Sequence, residues 1–310
     1  MKKIIFGFLV LLFFSGCGKN PELSADMLGG GKIFDPLTYQ PEKYLLSVSK
    51  PTPTTIEAAK PVLIACHGYS ASTFEWDEFR IWMDNRSDFY LSQVLLAGHG
   101  RTYEEFKAST WKDWQSSIAD EYNKLVKAGY KKINFVASST SCPLLLDMVN
   151  SGYFDNAPST VNIMLIDPII IPSDKTLSLV GIVGPMLGYI EADNTKEEDK
   201  YYYHYSPQET LQQLQNVLTT VRKELEHGIT LSPKVSLKVY KSIQDPTADP
   251  VSAVLIYNGV KTSTGEKIDL QMVNSRLHVF TRLTLRPNVA ETDWDNQTTA
   301  FEDIAARIKR

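Results

Sequence analysis

The chain has 310 residues, 43% of them hydrophobic and 22% charged, with a formal net charge of -4. That is enough apolar material for a large core, at close to ordinary globular composition. The mild acidity, and the lack of any basic stripe interleaved with aromatics, argue against a nucleic-acid partner.

The N-terminus reads as a targeting segment. Lys2 and Lys3 form a basic n-region, and Ile4 to Phe14 is an apolar run broken only by Gly7. It is too short to span a bilayer, which takes about 20 residues. Phe14-Ser15-Gly16-Cys17 then resembles the lipobox of bacterial lipoproteins, with phenylalanine in place of leucine. The resemblance implies a signal peptide over residues 1–16, diacylation of Cys17, and a membrane partner reached through a lipid anchor in the bacterial envelope. Gly18 after the cysteine favours the outer membrane over the inner. The alternative is a plain secretory signal that leaves Cys17 free. Residues 17–42, with Gly29-Gly30-Gly31 inside them, read as a tether, and 43–310 as one domain. The remaining Cys66 and Cys142 lie in apolar strand and helix contexts and read as buried free thiols rather than a disulfide.

Within the domain, Tyr44 to Val48 reads as a first strand, and the proline-punctuated stretch Pro51 to Pro61 as a connection. Pro61 to Cys66 is a continuous apolar run of the kind found in a fully buried strand, and it ends at His67-Gly68-Tyr69. Ser72-Thr73-Phe74-Glu75 fits a capping box before a partly apolar helix. Tyr90 to Ala97 reads as a strand ending in Gly98-His99-Gly100. Thr110 and Asp113 can cap a helix whose apolar residues Trp111, Trp114, Ile118, Tyr122 and Leu125 recur at three- and four-residue intervals, with Gly129 as its stop. A strand from Ile133 and a helix towards Asn150 flank a cluster of small residues, and Val161 to Ile166 is the next strand.

From about 173 to 232 no clear strand is visible. This stretch holds the apolar run Leu177 to Ile190, the aromatic cluster Tyr201 to Tyr205, which reads as exposed packing rather than a substrate lip, and a helix from Pro207 to His227. It reads as a helical cap inserted over the sheet, or else as a long crossover helix with loops. The sheet resumes with Val235 to Tyr240, then a helix from Asp249-Pro250 through Val260, a last strand Ile268 to Val273, and a final helix around Phe301 to Ile308, with Thr281 to Gln297 between it and His278. Near-continuous apolar strands alternating with helices predict an α/β fold, a mostly parallel sheet covered on both faces.

The chemistry-bearing feature is Ala137-Ser138-Ser139-Thr140-Ser141. An apolar strand meets tiny residues and then a helix, which is the shape of a nucleophile elbow, G-x-S-x-G, with both glycines replaced by other small residues. A nucleophilic serine needs a base, a carboxylate to orient the base, and donors for the developing oxyanion. His67, His99, His204, His227 and His278 are the candidate bases. His278 follows the last strand at the carboxyl edge of the sheet, where ligands gather in open parallel sheets, and is the best placed. Asp245 follows the preceding strand and is the first choice of carboxylate, with Asp167 as the alternative and Asp249 as a helix cap. The order Ser139, Asp245, His278 is that of the α/β-hydrolase fold.

From about Tyr44 onwards the chain resembles the α/β-hydrolases, especially their carboxylesterase, monoacylglycerol-lipase-like and serine-aminopeptidase-type branch. His67-Gly68-Tyr69 is similar to the family's HG-x oxyanion turn, Gly98-His99-Gly100 to its GHG, Ser242-Ile243-Gln244-Asp245-Pro246 to its G-x-x-D-P, and Leu277-His278-Val279 to the motif around its base. The resemblance implies an oxyanion hole made by the amides of Tyr69 and Thr140, a catalytic triad of Ser139, Asp245 and His278, no metal or cofactor, and a small-molecule carboxylic ester as substrate. The alternatives are a non-catalytic envelope lipoprotein of the same fold, or the same triad used for peptide hydrolysis or acyl transfer.

Overall fold

The structure, a computed structural model, describes residues 20–24, 27–28, 52–84, 86–174 and 188–310. The expected signal peptide, Cys17, most of the tether, the strand at Tyr44 to Val48 and most of the apolar run Leu177 to Ile190 lie outside the described residues.

A short helix α1 (Thr55–Ala59) leads into β1 (Val62–Cys66), followed by a 3-10 turn (Thr73–Trp76), α2 (Asp77–Met83) and β2 (Tyr90–Val94). Then come α3 (Tyr103–Ala108), α4 (Trp111–Lys127), β3 (Ile133–Ser138), α5 (Ser141–Asn150) and β4 (Val161–Ile166). The next segment carries β5 (Tyr189–Glu191), β6 (Tyr205–Pro207) and the long α6 (Gln208–His227). The chain closes with β7 (Ile229–Thr230), β8 (Val235–Ser242), α7 (Val251–Gly259), β9 (Val260–Lys261), β10 (Asp269–Val273) and α8 (Glu291–Arg307).

Six of these strands form one sheet in the order β10-β8-β4-β3-β1-β2, every neighbour parallel. Side chains alternate between its two faces, as the strand period requires. Val62, Ile64, Phe135, Leu165 and Val239 pack in one apolar cluster with α4, α5, α6 and α7. Leu63, Ala65, Val136, Met164 and Tyr240 pack in a second with α2 and α8. Because both faces are covered, β1 and β3 are buried along their whole length, which is why they read as unbroken apolar runs.

The strand order places the site. From β1 the chain moves outward to β2, and from β3 it moves the other way through β4 and β8 to β10. The direction reverses between β1 and β3, and a crevice opens beyond the carboxyl ends of parallel strands at such a switch point. His67-Gly68-Tyr69 leaves β1 there, and Ser139 leaves β3 beside it.

Several local expectations hold in detail. Thr110 and Asp113 form a reciprocal capping box, and Trp114, Ile118, Tyr122 and Leu125 are the buried stripe of α4. Gly129 supplies the positive φ that ends that region, and Cys66 and Cys142 are buried and unbridged.

Others are corrected. Ser72 caps only a 3-10 turn, through the amide of Phe74, and Glu75 does not return to it. The Glu75 carboxylate instead accepts from the Gly68 amide at 2.7 Å and from the Ser138 hydroxyl, so tertiary donors outcompete the local cap. β2 stops at Val94 because the next amides turn to side chains: Leu96 donates to His67 Nε2 and Ala97 to Ser117 Oγ. The region read as free of strands contains the short antiparallel pair β5–β6. The expected cap divides in two. α6 packs into the main core as a crossover helix, while residues 198–203 before it lie against the site loops. Tyr202 and Tyr203 are buried rather than exposed: Tyr203 stacks on Phe106 and donates its hydroxyl to the Gly98 carbonyl at 2.8 Å. α8 begins at Glu291, so the connection after His278 is shorter than Thr281 to Gln297.

Candidate active site

The turn after β3 fixes Ser139. Its φ is +49°, a region that side chains with a Cβ rarely occupy, and its amide donates to the Ile166 carbonyl at 3.0 Å. Such a turn leaves little room for neighbours. Ala137 is fully buried on one side. On the other, the Ser141 hydroxyl donates to the His67 carbonyl, which ties the elbow to the turn after β1. Across the gap stands Gly68, where an added Cβ would sit 2.9 Å from that of Ser139. Glycine is therefore required at 68 by close approach.

His278 and Asp245 come from loops that are themselves joined. Ile243 donates to the Val273 carbonyl at 3.0 Å, Gln244 to that of Ser275 at 3.2 Å, and Arg276 Nε to Gln244 Oε1 at 2.7 Å. Ser275 in turn hydrogen-bonds Asp293 at the start of α8. His278 Nε2 lies 2.8 Å from Ser139 Oγ, and its Nδ1 lies 2.8 Å from Asp245 Oδ2. An ionised carboxylate can only accept, so Nδ1 carries the ring proton and Nε2 is left to accept from the serine. Asp245 Oδ1 is held by the amides of Thr247 and Ala248 at 2.8 and 2.9 Å. The structure thus brings three of the residues singled out in the sequence into one hydrogen-bonded chain.

The electrostatics of Asp245 involve a residue that sequence reading missed. Lys241, fully buried on β8, pairs with the same Asp245 oxygen that faces His278, and with Asp167 at 3.3 Å. Burial pushes the Asp245 carboxyl up, but His278 and Lys241 more than offset this and hold it at about 2. Asp167 serves structure: buried at a φ of +46°, it accepts from the Ser242 amide and hydroxyl and from the Phe280 amide. It ties β8 to the His278 loop and makes no contact with a histidine ring. Asp249 accepts from the Val251 amide at 2.8 Å and caps α7, as read.

The other histidines do other work. His67 is buried, with Nε2 accepting from Leu96 and burial bringing its pKa down to about 4, so it is neutral and holds the backbone. His99 lies buried among Phe106, Trp114 and Tyr203, and burial pushes its pKa well down. His204 pairs with Asp199, and His227 hydrogen-bonds its own helix.

The Tyr69 side chain donates to or accepts from Thr210 Oγ1 at 2.7 Å, joining the turn after β1 to α6. Thr140 stands at the N-terminus of α5, and Gly68, Tyr69, Ser139, Thr140 and His278 share the wall of one cavity of about 620 Å³. Among the described residues no group of three or more His, Cys, Asp or Glu side chains is arranged to hold a metal ion.

No family model matches the chain. It is 24% identical over 224 residues to a carboxylesterase of Bacillus subtilis, covering 70% of this chain and 85% of that one. Among solved structures, one of the two metagenome-derived lipolytic enzymes LipS and LipT superposes with a TM-score of 0.64 at 18% identity, over 81% of this chain and 94% of its own. A soluble variant of monoglyceride lipase from Saccharomyces cerevisiae gives 0.61 at 11% identity, over 83% and 89%. With the parallel sheet and its strand order, these likenesses establish an α/β-hydrolase fold.

Proposed function

We propose that the protein is a serine hydrolase of small carboxylic esters. The observation that carries this reading is the hydrogen-bonded chain Ser139 Oγ–His278 Nε2 and His278 Nδ1–Asp245 Oδ2, both links at 2.8 Å, beside a cavity at the switch point of the sheet. The similarity to a carboxylesterase over most of its length supports the same class.

In this reading His278 Nε2 takes the Ser139 proton as Oγ attacks the ester carbonyl. Asp245 holds the ring in its tautomer and stabilises the imidazolium, and the amides of Tyr69 and Thr140 donate to the tetrahedral oxyanion. The imidazolium then protonates the leaving alcohol, and water, deprotonated by His278, releases the acid from the acyl-serine. Apolar residues on the cavity wall, Ile169, Leu211 and Leu214, offer a surface for hydrocarbon in the cavity that Ser139 lines. The Phe14-Ser15-Gly16-Cys17 sequence supports placing the enzyme at the bacterial envelope, the outer membrane favoured, through lipid on Cys17.

The test is labelling by a fluorophosphonate probe. The full-length protein is expected to label, and Ser139→Ala is expected not to. Labelling that survives Ser139→Ala overturns Ser139 as the nucleophile, and failure to label the intact protein overturns the reading in favour of a non-catalytic protein of the same fold.

A further inference from the structure

Ser139 and His278 share their cavity with two arginines on the loop between His278 and α8, Arg282 and Arg286, and with Tyr202 from the segment before α6. Buried donors normally have acceptors, and those that lack one call for explanation. Each of these three residues carries a side-chain donor that is closed off from solvent and has no acceptor among the described residues: Tyr202 Oη, Arg282 Nε and Arg286 Nε. Tyr202 and Arg282 are only 8% and 6% exposed.

The charges around them do not use these donors up. Arg282 directs Nη2 to Glu198 at 2.8 Å and Nη1 to the Thr284 carbonyl at 3.0 Å, with its guanidinium over the Tyr202 ring. Arg286 forms no ion pair among the described residues, and the titratable groups that act on it without a direct bond are Arg282, Tyr202, Glu75 and Glu198, in that order. Both acids are engaged elsewhere, Glu75 by the Gly68 amide and the Ser138 hydroxyl, Glu198 by Arg282 and the Thr195 amide. Burial and then Arg282 bring the Arg286 guanidinium down to about 10, which leaves it charged at neutral pH. Tyr202 is pushed up by burial and stays a neutral donor.

Asp174 and Asp193 line the same cavity, so the positive charge is local to the Arg282 and Arg286 side. That side complements a ligand group made of acceptors and negative charge, and guanidinium matches the planar carboxylate. We propose that this cavity selects esters bearing an anionic group, a carboxylate foremost, held by Arg286, Arg282 and Tyr202 while the ester carbonyl lies at Ser139. The inference rests on the hydrolase reading for its chemistry and on the orphaned donors for its specificity.

The test compares kcat/KM of the full-length protein on matched esters: monoethyl adipate against ethyl heptanoate, and 4-acetoxybutyrate against pentyl acetate. In at least one pair the anionic ester is expected to be preferred, and Arg286→Gln is expected to cut that preference about ten-fold or more, the size of one charge-assisted hydrogen bond. Tyr202→Phe is expected to cut it less. A preference for the neutral ester in both pairs, or one indifferent to Arg286→Gln and Tyr202→Phe alike, overturns the inference while leaving the hydrolase reading intact. A binding arm is independent of turnover: calorimetric titration of both anionic esters into Ser139→Ala protein, with and without Arg286→Gln. The affinity for at least one is expected to fall about ten-fold with the second substitution. No binding, or equal binding, overturns the inference even where no ester is turned over.

Discussion

Ser141 donates its hydroxyl hydrogen to the carbonyl oxygen of His67, joining the turn that carries Ser139 to the turn after β1. The residue that stands where a nucleophile elbow ordinarily has its second glycine is therefore a fastener. It holds the two sides of the switch-point crevice in register, and its small side chain is spent on that bond. Ser141→Ala is expected to lose about 1 kcal/mol of stability, the usual net worth of such a bond. Ser141→Val leaves the carbonyl unpaired as Ala does and adds bulk, at a total cost of about 1–3 kcal/mol. Urea unfolding checks both, and an Ala variant as stable as the parent contradicts the fastener.

Gly68 faces Ser139 so closely that a Cβ would approach to 2.9 Å. Gly68→Ala must move one of the two turns. A displacement approaching an ångström at a reacting atom costs about a hundred-fold in rate. We therefore expect kcat/KM on p-nitrophenyl butyrate to fall by about that factor, with the expressed protein still folded by circular dichroism.

Asp245 gives a pH dependence with a definite sign. Its carboxyl is held at about 2, below the ordinary value of 3.8, so its contribution to stability is complete above about pH 4 and is lost as the pH falls through about 2. The shift corresponds to about 2 kcal/mol. Asp245→Asn is expected to flatten the stability profile over that window, measured by chemical denaturation at stepped pH.

Lys241 competes with His278 for one oxygen of Asp245. Lys241→Met leaves two buried carboxylates without their cation, and a loss of about 3–5 kcal/mol is expected. A structural role alone would end there. With the lysine gone, Asp245 stabilises the imidazolium more strongly, so the acid limb of the kcat/KM profile is expected to move to higher pH. An unmoved limb in folded Lys241→Met protein contradicts a tuning role.

The main strands, the α4 stripe and the Ser139, Asp245 and His278 positions were legible because each is announced locally, by apolar runs, by three- and four-residue spacing, or by a motif at a strand end. What was hidden depends on long-range partners. Glu75 sits three residues after Ser72, where a cap is the local reading, and only the approach of Gly68 and Ser138 redirects it. Lys241 looks like any lysine near a strand end until β4 and the Asp245 loop close around it. Tyr202, Arg282 and Arg286 carry no motif, and their meeting in one wall follows from how two distant loops cross the carboxyl edge. The second missing glycine was visible in sequence, but the hydrogen bond that Ser141 makes in its place was not.

The most direct measurement is steady-state hydrolysis of p-nitrophenyl butyrate by purified full-length protein in detergent, beside Ser139→Ala and His278→Ala. A serine hydrolase requires turnover in the parent and a fall in kcat of about ten-thousand-fold or more in each variant, with the two losses not additive in the double variant. A parent that does not turn the ester over, or variants that keep its rate, would contradict the account.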